Sequence, residues 1–279
     1  DFIFGSELKA LKKFPNFTNQ ISKAALSEYL IYGYVPSPLS IYENIYKLEP
    51  GHFMEISVFS DHFSFSEPEE YWGITSLIAN NQDNFFQNDE EAISSLDRAL
   101  KSSIEDQMIS DVPLGAFLSG GIDSSTVVAL MQEGRMDRIK TFTIGFEESN
   151  FNESDYAKAI ARHLNTDHTE FIVTAEEAQA VIQDLPIIYD EPFSDSSQIP
   201  TFLVSKVASQ DVKVSLSGDG GDEIFGGYNR YLWGPGLWNQ IKFVPRVMRP
   251  ILAACVNSVP NKAWLGAESL INKFNLGRN

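Results

Sequence analysis

Residues 114–125 read Leu-Gly-Ala-Phe-Leu-Ser-Gly-Gly-Ile-Asp-Ser-Ser, and their reading decides the fold. Leu114–Leu118 is a short apolar run of strand length. A helix is expected from Ser124 to Gln132. Between them, Gly120 and Gly121 let the backbone turn sharply and approach a ligand closely. Successive N–H groups, the hydroxyls of Ser119, Ser124 and Ser125, and the positive end of the following helix make a cradle for phosphate oxygens. Asp123 would repel a bare phosphate, but it makes sense as a ligand to Mg2+ bridging carboxylate and phosphates. No Gly-Lys-Ser/Thr follows, so this is not a Walker loop. A Gly-Ser turn capping a helix is the competing reading. Seven consecutive residues of this kind between strand and helix argue against it.

Working outward, strand and helix alternate. Strands are expected at Lys140–Gly145, His168–Val173 and Lys213–Leu216. Helices are expected at Ser154–Leu164, Ala175–Leu185 and Ile199–Ser209. This rhythm predicts an α/β fold, a parallel sheet with helices on both faces. Ligands of such sheets sit off the C-terminal strand ends. Upstream, Ile93, Leu96, Leu100, Ile104 and Met108 line one face of a long helix from about Glu90 to Ile109. The polar stretch 74–90 reads as an exposed linker. Phe53–Val58 and Phe63–Phe65 read as a hairpin closed by Ser60-Asp61-His62. Ile21, Ala24, Ala25, Tyr29 and Leu30 mark a helix within 20–33, and residues 1–14 begin with an apolar strand-like run before turning charged.

A second chemical loop follows strand Lys213–Leu216. It reads Ser217-Gly218-Asp219-Gly220-Gly221-Asp222-Glu223-Ile224-Phe225-Gly226-Gly227-Tyr228. So much glycine beside so much acid suggests a backbone pressed against a ligand, with carboxylates aimed at a metal.

Here the motifs become specific. Residues 119–125 (SGGIDSS) resemble the PP-loop of ATP pyrophosphatases, SGGxDS, which cleave ATP between the α- and β-phosphates. Residues 217–228 resemble the asparagine synthetase pattern SGEGSDEIFGGY. The likeness runs almost end to end. FGSELKAL (4–11) is similar to the tail of that family's glutaminase domain, and LIYGYVPSPLSIYENIYKLEPGH (30–52) to its connector. TFTIGF (141–146) and ESDYAKAIARHLNTDH (153–168) resemble the adenine-side strand and the next helix. DEPFSDSSQIP (190–200) resembles a substrate-side loop. The implied organisation is 1–65 glutaminase tail and connector, 66–90 linker, and 91–279 an ATP-binding amide synthetase domain that stops early.

The resemblance implies site residues position by position. Asp123 and Asp222 match Mg2+-pyrophosphate ligands, and Gly218 a backbone position near adenosine. Leu118 and Ile144 match adenine contacts, though sheet core explains them as well. Asp219 stands where most members carry Glu, with a carboxylate one methylene shorter, and is associated with the acyl-adenylate and ammonia step. Asp155 fits a pyrophosphate-side acid or a helix-dipole acid equally. Asp190, Glu191, Asp195, Ser196 and Ser197 fit a substrate-side loop or a turn and cap. Tyr228 could face the pocket or pack. The family's catalytic lysine has candidates in Lys242, Lys262 and Lys273, none of them assigned.

The implied chemistry is adenylation of a carboxylate, by resemblance that of aspartate, followed by attack of ammonia. Cofactors would be ATP and Mg2+. The ammonia would come from glutamine in a glutaminase domain outside this chain, since that domain's nucleophile is an N-terminal cysteine and none precedes Cys255. The Asp219 difference keeps another carboxylate substrate open. A non-catalytic nucleotide-binding module and a tRNA-modifying PP-loop enzyme are the further alternatives.

Bulk properties narrow these choices. The net charge of −17 over 279 residues disfavours nucleic acid and anionic membrane surfaces as partners. One cysteine allows no internal disulfide or Cys-rich zinc site. It fits a reducing cytoplasm, and Cys255 itself reads as a small core residue. No segment reaches the roughly 18 to 20 apolar residues of a membrane span. The first residues do not read as a signal peptide, and the opening Asp1 suggests a piece of something longer. His163 and His168 read as structural. Asn16-Phe17-Thr18 and Asn152-Glu153-Ser154 read as chance glycosylation patterns. Small-molecule substrates and a homodimer are the expected partners.

Overall fold

The computed structural model describes residues 2–18, 20–147 and 154–260. The chain divides into two compact units, Asp1–Gly218 and Asp219–Asn279.

In the first unit, Phe2–Phe4 forms no strand. It is largely exposed and finds no pairing partner among the described residues. Helix α1 (Leu8–Leu11) follows, then α2 (Lys23–Tyr32). The Ser22 hydroxyl accepts from the Ala25 N–H, which satisfies one of α2's orphan donors. Gly33 at φ 79° ends α2 in the left-handed region. Ala25, Val35 and Ile41 form a small core with Leu8, Tyr29, Leu39 and Tyr42.

Four short strands come next: β1 (His52–Phe53), β2 (Ile56–Val58), β3 (Phe63–Phe65) and β4 (Glu69–Glu70). The hairpin forms between β2 and β3, with Ile56 opposite Phe65. Phe53, expected in that hairpin, pairs with Glu69 instead. Within the expected linker lies a helix, α3 (Ile74–Asn80), every residue of it exposed. Exposure was legible from the polar composition; the local helix was not.

Helix α4 (Asp89–Gln107) starts on Asn88, whose side chain accepts from the Glu91 N–H. Asp89, Glu90 and Glu91 in its first turn complement the helix dipole. Then come β5 (Leu114–Phe117), α5 (Ile122–Gln132), β6 (Lys140–Phe146), α6 (Ser154–Leu164), β7 (Asp167–Val173), α7 (Ala175–Val181), α8 (Leu185–Ile188), α9 (Gln198–Ala208) and β8 (Val214–Leu216). The single helix expected over 175–185 breaks after Val181. Pro186 has no N–H to donate to Ile182, so one helix cannot run through.

The four long-range strands form one parallel sheet in the order β7-β6-β5-β8. Helices cover both faces. On one, Ile104 of α4, Val128 and Met131 of α5, and Ala157 and Ala161 of α6 pack with Ala116, Leu118 and Leu216. On the other, Ala208 of α9 and Val212 pack on Phe142, while Val181 and Leu203 pack on Val173. Strand period two explains the division, since Ala116 and Phe117 point to opposite faces. Each large apolar side chain fully buried here contributes about 1.5–3 kcal/mol. Strand order reverses direction at β5, whose neighbours are β6 and β8. The crevice beyond their C-terminal ends is therefore a topological switch point.

The second unit contains α10 (Gly221–Phe225), α11 (Asn229–Ile241) and α12 (Arg249–Asn257). None of its described residues, 219–260, is buried. Cys255, expected in a core, is exposed. An apolar neighbourhood along the chain buries a side chain only when another surface covers it, and none does so among the described residues.

Candidate active site

The loop 119–121 between β5 and α5 is built by contact as well as by composition. Gly120 has φ 86°, and a Cβ there would lie 2.8 Å from the Ala157 nitrogen and from the Tyr156 Cβ. The loop therefore lies against the first turns of α6, where only glycine fits. Gly218, at the end of the β8 segment, approaches from another side. A Cβ on it would stand 2.7 Å from the Ser124 nitrogen and 2.9 Å from the Asp123 carbonyl carbon. So the start of the second loop is pressed onto the first helical turn of α5. The sequence suggested a backbone pressed against a ligand. What presses on Gly218 is the first loop itself.

The hydroxyls organise the loop. Ser124 is buried, and its Oγ lies 2.9 Å from Ser119 Oγ and accepts from the Ser119 N–H at 3.2 Å. Ser119 Oγ also accepts from the Gly121 N–H at 3.3 Å. Ser124 and Ser125 both donate to the Gly121 carbonyl, at 3.3 and 2.6 Å. These bonds hold the loop's shape. A hydroxyl's hydrogen can turn toward a phosphate when one arrives. Asp123 is half-buried in the first turn of α5.

Leu118 and Ile144, matched to adenine contacts, are both tied into the sheet. Leu118 is 1% exposed, its N–H donates to the Phe142 carbonyl, and its carbonyl accepts from the Thr143 hydroxyl. Ile144 is half-buried and packs toward Val173 and Leu203. Asp155 is exposed in the first turn of α6. His168 Nδ1 lies 3.0 Å from Thr141 Oγ1, which in turn bonds Thr166. Burial lowers the pKa of His168.

Within the second unit, Gly220 (φ 91°) and Gly226 (φ 70°) bracket α10. Asp219 is exposed and Asp222 half-buried. The Asp222 carboxylate lies over Gly227, where a Cβ would collide with Oδ1 at 1.9 Å. The Tyr228 hydroxyl donates to Glu223 at 2.6 Å, and Arg230 lies over the Tyr228 ring. That bond pushes the phenol up to about 12 and holds the Glu223 carboxyl below its usual range. Lys242 caps α11 and donates to Asn239. Lys262 and Lys273 lie outside the described residues, as do Asn152 and Glu153.

The loop 190–197 has partners that sequence reading missed. Asp190 accepts from the Lys9 N–H at 3.0 Å, and Glu191 from the Ile41 N–H at 2.7 Å and from Lys47 Nζ at 2.5 Å. The Ser194 N–H donates to the Gly33 carbonyl at 2.7 Å. Asp195 accepts from the Ser197 N–H and makes the turn into α9. Beside this seam, between residues 5–50 and 188–193, opens a cavity of about 740 Å3. No local signal could have announced pairs as far apart as Glu191 and Ile41, which stand 150 residues from one another along the chain.

A parallel sheet with helices on both faces, a glycine-serine loop at its switch point and an SGGxDS sequence define an α/β fold of the PP-loop class. The chain belongs to the asparagine synthase family, whose model matches residues 95–275; a glutamine amidotransferase domain model matches residues 1–72. It is 37% identical over 254 residues, 90% of this chain, to a Methanocaldococcus jannaschii protein named as a candidate second asparagine synthetase (glutamine-hydrolyzing). It is 34% identical over 228 residues, 82% of this chain, to asparagine synthetase (glutamine-hydrolyzing) 1 of Bacillus subtilis. The matches take in 47% and 34% of those two proteins, so the chain spans half their length or less. Among solved structures, an NH3-dependent NAD synthetase from Campylobacter jejuni aligns over 49% of this chain and 60% of its own, with TM-score 0.34 and 16% identity. No described helix is long and apolar enough to cross a membrane.

Proposed function

We propose that the chain carries the ATP-dependent half of asparagine formation. Its two stages are adenylation of the aspartate side-chain carboxylate and capture of the acyl group by ammonia. The observation that carries this reading is Gly218 seated on the Asp123–Ser124 turn, which brings the first two residues of the second loop to the phosphate-binding loop. Membership of the asparagine synthase family supports it.

The residues' roles follow from their chemistry. N–H groups at the start of α5, with the Ser119, Ser124 and Ser125 hydroxyls, hold the pyrophosphate oxygens. The family's use of ATP fits this loop. Asp123 and Asp222 are the carboxylates suited to hold Mg2+, which typically takes one or two carboxylates plus substrate phosphates. When bound, the ion neutralises charge on the departing pyrophosphate. Leu118, Ile144 and the Gly218 backbone border the adenosine side, and Asp219 orients the acyl-adenylate and the incoming ammonia.

The carboxylate oxygen attacks the α-phosphorus, and the bond to pyrophosphate breaks. Ammonia then attacks the acyl carbon, AMP leaves, and the nitrogen's proton passes to a base. Water must be kept out, because it would hydrolyse the mixed anhydride. In the domain division we propose, 1–65 is amidotransferase tail and connector, 66–90 linker, and 91–279 synthetase. Glutamine supplies the ammonia in the amidotransferase part, and the enzyme works in the cytoplasm, as a homodimer.

ATP–pyrophosphate exchange on the full chain as it occurs in the cell tests this, with Mg2+ and a panel of carboxylates. Exchange that requires aspartate supports the proposal. Exchange with a different carboxylate keeps the chemistry and replaces the substrate, an outcome that the shorter Asp219 favours. ATP binding without exchange on any carboxylate sinks it.

A further inference from the structure

Asp190 and Glu191 stand in the loop that the family resemblance assigns to the substrate side, yet both carboxylates are already engaged elsewhere. Their side chains are only 14% and 16% exposed. Glu191 Oε1 accepts the Ile41 N–H at 2.7 Å, and its Oε2 meets Lys47 Nζ at 2.5 Å. Lys47 Nζ also donates to the Val35 carbonyl at 2.6 Å. Asp190 Oδ2 accepts the Lys9 N–H at 3.0 Å, and Lys9 Nζ donates to the Ile188 carbonyl at 3.2 Å. Ser194 completes the row, through the Gly33 carbonyl and the Tyr29 hydroxyl, each at 2.7 Å.

Every partner in this row lies in residues 9–47, inside the amidotransferase match. Every acceptor or donor opposite lies in 188–194, inside the asparagine synthase match. Charge-assisted bonds to backbone N–H groups are directional, so they set geometry as well as add energy. The segment 188–194 leads into α9, which packs on Phe142 of β6, the strand beside β5 and its loop.

We propose that Asp190 and Glu191 are positioning residues, an acidic staple that registers the amidotransferase part against the synthase sheet and couples the two reactions. They are not substrate ligands. The inference rests on the proposed function for the reactions being coupled, and on geometry alone for the staple.

The test uses the full chain carrying Glu191→Gln, Lys47→Met, both together, and Lys47→Arg. Two readouts are taken. The first is hydrogen exchange at the Ile41 amide and through 188–194. The second is the ratio of glutamine hydrolysed to amide formed, with ATP–pyrophosphate exchange and its carboxylate KM measured beside it. Either single variant should loosen the hold on the Ile41 amide and speed its exchange, because Glu191→Gln makes the bond neutral and Lys47→Met unpins the carboxylate, and each should raise the ratio about tenfold. The carboxylate KM should stay within about twofold of wild type. The double variant should be no worse than a single, because both remove one interaction, and Lys47→Arg should restore much of the coupling. Unchanged exchange at Ile41 overturns the staple. A large rise in carboxylate KM for Glu191→Gln that Lys47→Met does not share also overturns it and makes Glu191 a substrate ligand. If wild type shows no pyrophosphate exchange, the proposed function fails, while the amide data still judge the staple.

Discussion

Two glycine-rich loops leave neighbouring strands of one sheet, and they are held in different ways. The first, after β5, is walled in: Gly120 meets α6, Ser124 is buried, and Gly218 sits on its helical turn. The second, past Gly218, hangs on the five-residue α10 in a unit with no buried residue among those described. Gly120 and Gly220 share the left-handed backbone, at φ 86° and 91°, but no atom of the described residues lies within 4 Å of where a Cβ on Gly220 would stand. Glycine in the first loop answers to conformation and packing together, and at Gly220 to conformation alone. A pre-shaped loop suits a group whose position must not vary, such as a pyrophosphate. A less constrained one suits carboxylates that must meet ligand and metal.

The largest effect that would break this comparison is chemical. Asp123→Asn should lower ATP–pyrophosphate exchange on the order of 10²–10³-fold, the scale for removing one electrostatic contact to a developing charge. A loss under tenfold would take Asp123 out of the site. Next comes the matched glycine pair. Gly120→Ala combines left-handed strain with backbone overlap and should cost about 3 kcal/mol in urea unfolding. Gly220→Ala carries the strain alone and should cost about 1 kcal/mol. Equal costs would mean that the first loop is no better packed than the second.

A pH effect sharpens the contrast from the sheet side. Burial holds the His168 imidazole below its ordinary value of 6.5, with Glu170 opposing and Lys158 adding to the shift. The unfolded chain therefore binds the proton first. This contribution to stability is complete above about pH 6.5 and fades as pH falls toward the lower folded value. Thermal melts across that range should show the slope, and His168→Gln should flatten it. The smallest effect belongs to the second unit. Tyr228→Phe should raise the Glu223 carboxyl toward its usual range in an NMR titration and barely move the melting temperature, because their bond lies at the exposed surface.

Much of this was legible along the chain. The alternation of strands and helices announced the parallel sheet, and observed boundaries fall within about two residues of those expected for α4, β5, α5, β6, α6, β7, α9 and β8. Apolar periodicity reports local geometry directly, which is why it succeeded. It failed where the answer depended on a remote partner. Phe2–Phe4 had strand composition and no strand to pair with among the described residues. Cys255 had apolar neighbours and no cover among the described residues. Phe53 left its expected hairpin for Glu69. The candidate site divides the same way: the SGGIDSS residues could be read off the chain, whereas the tight contacts at Gly120 and Gly218 could not.

By itself, then, the sequence determined the fold class, the family and the residue types of both loops, because each is written in consecutive residues whose backbone demands are local. The tertiary structure alone decided what Asp190 and Glu191 hold, where Leu118 is spent, and why Gly120 and Gly218 admit no side chain. Those outcomes depend on atoms that meet across tens to well over a hundred residues of chain, where only the packed sheet brings them within hydrogen-bonding or van der Waals distance.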